Sequence, residues 1–479
     1  MTPFVATLAL VGVVIMVAAL LSGLVDRFRV PQVAVFLALG AVLGPYGLDL
    51  LDFALTSPVL ETIATIGLVL VLFSDAVSVE LREVRVHARL VFLVLGPGTV
   101  LSAALSALAA LGLLGLEPAL AVVLGAALAS TDPVMVRSLL RSEAVPPPAR
   151  QALKIESGLN DLLLLPIVLV ATMLVGGTPT AEHWGRQAVG LLVLGPGAGA
   201  LVGFAGVALL EGVRKRAGVR RDYESIYALG VAFAAYAAAE AVHGSGLLAA
   251  FAAGLTIAAF DAELCDCFLD YGQATAEMFL LFTFVAFGAS LVWTGLTVIS
   301  WRTLALAAVA LLGRSLVLAV ALARERLDSR SRRLIVWYGP RGLSSLLLVL
   351  LPVFAGVPGA RALFPVAALV VLVSIVFHGG ALAFVGREVA PDRDEGSGQG
   401  EGAVGGPTEP PGDRITLDQV KQLQASGERV VLLDVRKEGA WRESDLMAQG
   451  AIRLPPDDAR TRAAELALPR HEWLVAYCA

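Results

Sequence analysis

The sequence predicts an all-α polytopic membrane protein with a small α/β tail, and three observations predict it. The 479 residues are 57% apolar and only 16% charged, too hydrophobic for a soluble globular chain of this size. The apolar runs have the length of membrane helices and are parted by short charged loops, without the alternation of an outer-membrane barrel. Beyond Ala390 those runs stop, and a Gly/Pro/acidic stretch leads into soluble patterning.

Helices are expected near 4–24, 31–47, 58–75, 88–113, 117–136, 150–175, 187–211, 222–242, 245–260, 272–292, 301–322, 332–353 and 361–386, about thirteen in all. The first has no basic leader before it and reads as a membrane helix, not a cleaved signal peptide. An odd count puts the termini on opposite sides. With the N-terminus outside, the inner loops hold twenty Lys and Arg between Arg27 and Arg387, and the outer loops only Arg186, Arg302 and Arg361. That bias places the tail in the cytoplasm and the chain in the cell (inner) membrane.

Residues 1–390 are expected to form the membrane domain, 391–413 a disordered linker with almost nothing to bury, and 414–479 an α/β unit. The last should hold a helix near 416–426 and strands Arg429–Asp434 and Trp473–Tyr477. Charge follows the same division: acidic and basic residues number 25 each up to Ala390, against 16 acidic and 11 basic from Pro391 on. No basic patch suits nucleic acid, and three cysteines exclude a disulfide framework.

Chemistry enters where polar groups interrupt the helices. In Lys154–Val170, a helical period places Ser157 and Asp161 on one face and Glu156 and Asn160 on the next, with the two carboxylates about 7.5 Å apart along the axis. Buried in a bilayer, such groups must be paired, protonated or facing a wet cavity. In Ala129-Ser-Thr-Asp-Pro-Val134, Pro133 should unwind the helix and free backbone carbonyls, so that Thr131 and Asp132 offer a carbonyl, a hydroxyl and a carboxylate. Together with Ser157 and Asp161 they form an oxygen set suited to a small hard cation. Arg314 falls in mid-helix, where an arginine needs a partner; Arg341 lies nearer the inner end of 332–353, where snorkelling to the surface is the competing expectation.

Thr131-Asp132-Pro133, Glu156-Ser157-Gly158-Leu159-Asn160-Asp161, Gly313-Arg314 and Gly339-Pro340-Arg341-Gly342 resemble, in order and over the membrane part, the NhaP/NHE-type cation/proton antiporters. The resemblance implies a homodimer with inverted repeats, broken helices, a dimerisation domain and a mobile transport domain. It implies that Asp161 binds the cation (Na+ or K+) or the proton, with Ser157, Asp132 and the Thr131 backbone as further ligands. Glu156 would pair with Arg314, braced by Asn160, and Arg341 matches a second arginine of the family. Two positions depart from the usual pattern: Leu162, where many members have Gly, and Pro340, which bears on the geometry beside Arg341.

The mechanism also follows from the residues. Asp161 holds a cation or a proton but not both, and competition at one site open alternately to each side is exchange. Asn160 is neutral, so the cage carries one acidic group from this helix and exchange should be electroneutral, with no resident cofactor. A channel built on the same oxygens would instead pass current without coupled proton flux.

Lesser features remain. Asp75, Glu240 and His243 fall near helix ends and are expected to be solvated. Cys265-Asp-Cys267, in an acidic inner loop, offers a metal or redox pair but lacks the second pair of a structural metal site. Leu-Gly-Pro-Gly occurs at 95–98 and again at 194–197 without an implied function.

In the tail, Val431-Leu-Leu-Asp-Val-Arg436, Gly450-Ala-Ile-Arg-Leu-Pro455 and Val475-Ala-Tyr-Cys478 resemble a rhodanese-like domain, in which Cys478 would open an oxyanion-cradling loop. The given chain stops one residue later, so the domain is expected to be incomplete and sulfur transfer is not expected. The rival reading makes this tail the working part, a membrane-anchored sulfur or redox module whose membrane part serves another solute.

Overall fold

The computed structural model describes residues 32–79, 87–140, 145–175, 181–217, 219–260, 273–325, 327–388, 428–436, 447–454 and 473–477, with scattered single positions. Most of the helix expected near 4–24, the linker 391–413, most of the helix near 416–426, and Cys265, Cys267 and Cys478 lie outside the described residues. The chain divides into two units, Met1–Arg393 and Asp394–Ala479.

The first unit is helical: α1 Gln32–Leu43, α2 Pro58–Val77, α3 Ala88–Leu114, α4 Pro118–Ala129, α5 Pro133–Leu140, α6 Pro147–Val175, α7 Gly185–Ala217, α8 Arg221–Ala241, α9 Gly246–Phe260, α10 Gln273–Ala286, α11 Trp301–Ala321, α12 Ser329–Trp337, α13 Leu343–Phe354 and α14 Leu363–Glu388. Among the described residues eight helical runs are long and apolar enough to cross a membrane, and three shorter apolar helices, including α9 and α13, accompany them.

Local sequence sets the ends. Proline opens α2, α4, α5 and α6, where its fixed φ suits a first turn whose amides need no intrahelical partner. Gly115, at φ 65°, ends α3 in the left-handed conformation. A reciprocal Ser300–Thr303 capping box starts α11. Asp328 caps α12 by accepting from the Ser331 amide at 2.9 Å, and the hydrogen bonds from Ser331 hold its carboxyl below the usual range. Both Leu-Gly-Pro-Gly segments meet a widened π-helical turn, Val94–Leu101 around the first and Gly190–Leu194 just before the second. A proline inside a helix withdraws an amide and presses on the preceding turn, and a wider turn absorbs both effects.

One expected helix is corrected. The segment 332–353 is two helices, α12 and α13, with non-helical backbone from Tyr338 to Gly342. Pro340 contributes no amide, and its ring disfavours helical backbone at the residue before it. The segment 117–136 likewise divides into α4 and α5 around Ser130, Thr131 and Asp132. The two breaks lie against each other, since the Asp132 amide donates to the Pro340 carbonyl at 2.9 Å. Helix α4 is buried along nearly its whole length, among α3, α6 and α13. A separate apolar cluster of Val136, Leu139, Leu153, Leu318, Ile335 and Tyr338 gathers on the α5 and α12 side.

The second unit holds three parallel strands in the order β2-β1-β3: β1 Val430–Asp434, β2 Ile452–Arg453 and β3 Trp473–Tyr477. Asp434 closes β1 as a buried carboxylate that accepts from Arg436 Nη2 at 2.6 Å and from the Tyr477 hydroxyl at 3.2 Å. Arg436 and Arg453 both lie over the Trp441 ring, 4.9 and 4.8 Å from its centroid. The Arg436 guanidinium holds the Asp434 carboxyl at about 2.

Candidate functional site

Where two helices break side by side, four helix ends meet, and each end carries partial charge. Asp132 serves the positive ends of both. Its Oδ1 accepts from the Val134 amide at 2.7 Å in α5, and its Oδ2 from the Leu343 amide at 3.0 Å in α13. One carboxylate thus caps two N-termini and fastens the breaks together. Gly342 is required for this, because a Cβ there would fall on the Asp132 carboxylate.

The negative ends are met by arginines. Arg341 Nη1 donates to the Ala129 and Ser130 carbonyls at 2.6 and 3.1 Å, at the end of α4, and Nη2 to Ala310 in α11 at 3.2 Å. It is fully buried, which decides against snorkelling, the competing expectation. The reason is local: once 338–342 leaves the helix, the side chain points inward at the free carbonyls of α4. Arg314 Nη2 and Nη1 donate to the Ile335 and Val336 carbonyls at 3.2 and 3.3 Å, in the last turn of α12. Its Nε and Nη2 also grip Glu156 Oε1 and Oε2 at 2.7 and 2.5 Å. Gly339 leaves the room for that guanidinium. The α14 helix supports the second break, with Ser374 Oγ accepting from the Arg341 amide at 2.7 Å and standing 3.1 Å from His378 Nδ1.

Asp161 lies apart from these pairs. Its Oδ1 accepts from the Ser130 hydroxyl at 2.6 Å, and Ser344, from the start of α13, faces the same carboxylate. Its Oδ2 is buried and has no hydrogen-bond partner among the described residues. Asn160, also buried, has neither amide atom bonded there, so no hydrogen bond joins it to the Glu156–Arg314 pair. Ser157 donates to the Lys154 carbonyl of its own helix at 3.2 Å. Thr131 Oγ1 stands 3.4 Å from both Glu156 Oε1 and Arg341 Nη1, turned towards the charge pairs.

The crossing therefore brings together Thr131, Asp132, Glu156, Arg314 and Arg341 directly, and Asp161 through Ser130. Sequence reasoning missed Ser130, Ser344, Ser374 and His378. The signals were present, since Ser130 adjoins Thr131 in the same polar interruption and His378 is a lone imidazole in an apolar run. Asp75 is a correction: it is 3% exposed, not solvated, and lies against Gly158 of α6. A helix end buried between neighbours looks the same in sequence as one in water. Glu240 and His243 are exposed, and Glu240 accepts from the Gly246 amide at 2.9 Å, which starts α9.

Chemically, the crossing offers one buried carboxylate oxygen open to a ligand, beside hydroxyls, within a frame whose other carboxylates are occupied. Such an oxygen can take a proton or a small cation.

Comparison with known proteins gives a family and a fold. A family model described as the transmembrane sodium/hydrogen exchanger matches residues 13–388. The K(+)/H(+) antiporter NhaP of Alkalimonas amylolytica is 28% identical over 392 residues, covering 80% of this chain and 66% of that protein. The K(+)/H(+) antiporter NhaP2 of Shewanella sp. (strain MR-4) is 27% identical over 378 residues, covering 78% of this chain and 65% of that protein. The chain thus spans just under two thirds of the length of these relatives. Among solved structures, the sodium proton antiporter MjNhaP1 from Methanocaldococcus jannaschii at pH 8 matches with a TM-score of 0.62 at 18% identity, over 80% of this chain and 99% of that one. At that identity the likeness is one of fold.

Proposed function

Because the chain belongs to the sodium/hydrogen exchanger family, we propose that it exchanges a monovalent cation, Na+ or K+, for H+ across a membrane by competition at Asp161. The observation that carries this reading is the uncommitted Oδ2 of Asp161, buried beside the junction of two broken helices. A proton or a cation neutralises the same charge there, so each displaces the other. Asp132, Glu156, Arg314 and Arg341 hold the frame in this reading, with Asp132, Thr131 and Ser157 contributing oxygens as the site opens to one side. Asn160 adds no charge, so exchange is electroneutral. The relatives named K(+)/H(+) antiporters favour potassium, and the solved structure titled a sodium proton antiporter keeps sodium in play.

The finer features belong to the same proposal: a homodimer in a cell membrane, thirteen spans with inverted repeats, an outside N-terminus, and a cytoplasmic rhodanese-like tail from residue 414 on. The test is proton flux in proteoliposomes loaded acidic inside, on adding Na+ or K+ outside. Internal alkalinisation that is unchanged by clamping the voltage supports electroneutral exchange and names the ion. Current without proton movement would point to a channel.

A further inference from the structure

The Ser130 hydroxyl adjoins Asp161, and its surroundings define what it can do. Ser130 is fully buried and follows the last residue of α4 in extended backbone, at φ −64° and ψ 133°. Its carbonyl is fixed twice, by Arg341 Nη1 at 3.1 Å and by the Ser345 hydroxyl at 3.3 Å. With the backbone held, the side-chain oxygen has a set position. Its one proton is committed to Asp161 Oδ1 at 2.6 Å. A hydroxyl also carries two lone pairs, and no donor reaches those of Ser130 among the described residues. The neighbouring charges are all committed elsewhere: Asp132 to two helix amides, Glu156 to Arg314, and Arg341 to carbonyls.

We infer that Ser130 is a ligand of the transported cation, and that its hydroxyl is what separates a cation from a proton at Asp161. A cation drawn to the Asp161 carboxylate gains a second hard oxygen from Ser130, as small hard cations prefer. A proton on Oδ2 uses the carboxylate alone. The lone pairs of the hydroxyl therefore serve one side of the competition only.

This inference rests on the antiport reading, and the experiment separates the two. Half-saturating concentrations for Na+, K+ and Li+ are measured in proteoliposomes at one pH for wild type, Ser130→Ala and Ser130→Thr. Ser130→Ala is expected to raise the value for the preferred ion ~5-fold, the scale of one lost polar contact. It should also change the ratio among the three ions, because ligand geometry weighs ion size. Ser130→Thr, which keeps the hydroxyl, should restore both. Equal scaling of all three ions would overturn the inference, since an effect passed only through Asp161 cannot tell one cation from another. Unchanged values would overturn it as well. Should Ser130→Ala fail to fold, Ser130→Cys makes the same comparison with a soft sulfur in place of the hard oxygen. An inert wild type would remove the antiport reading itself, and this inference with it.

Discussion

Asp132 and Asp161 are two fully buried aspartates at the same crossing, yet they do opposite work. Both oxygens of Asp132 are taken by backbone amides from two helices, whereas Asp161 has one oxygen on a serine and the other on nothing among the described residues. Glu156 sides with Asp132, since both its oxygens are gripped by Arg314. A carboxylate with both oxygens engaged builds structure, and one with an oxygen to spare is available to a ligand. Burial alone does not tell them apart; the partner count does.

That contrast can be broken most severely at the ion pair. Glu156→Gln or Arg314→Met leaves a buried charge alone and should cost about 3–5 kcal/mol, read as a fall in unfolding temperature in detergent. The double variant should recover much of that loss, whereas equal or additive losses would deny the pairing. Next, Gly342→Ala pushes a methyl onto the Asp132 carboxylate and should cost about 1–3 kcal/mol by the same measurement. Asp132→Asn keeps one acceptor for two amides and loses roughly one cap, about 1 kcal/mol.

The smallest effect lies in the tail, where Asp434 is a paired carboxylate outside the membrane. Its carboxyl is held at about 2, below the ordinary 3.8, chiefly by the Arg436 hydrogen bond. A depressed folded pKa gives stability that is complete above the unfolded value and is lost as pH falls through the folded one. The tail should therefore be stable at neutral pH and weaken between about pH 4 and pH 2, and Asp434→Asn should flatten that dependence. The tryptophan emission that Trp441→Phe removes is the readout.

The sequence made the broad outline legible because its signals are local. Apolar runs mark the eight described helical runs long enough to cross a membrane, and Trp473–Tyr477 reads as the strand it forms. Polar interruptions gave Asp161, Glu156 and Arg314, since charges in apolar helices need partners. What escaped was set by neighbours distant in sequence. The segment around 338–342 reads as continuous helix, because Gly-Pro-Arg-Gly does not reveal that Asp132 awaits the Leu343 amide. Asp75 reads as solvated for the same reason, as its burial comes from α6 packing beside it. Ser130 does not stand out beside Thr131 in sequence, because only the three-dimensional crossing shows which hydroxyl turns to Asp161.

The most direct test of the central claim is cation-driven proton flux through Asp161→Asn, reconstituted beside wild type at matched amounts of folded protein. This variant should unfold with wild type, since no structural pair is lost, and should move no protons in response to either cation. Flux at the wild-type rate would contradict that claim and return the search to the other buried carboxylates.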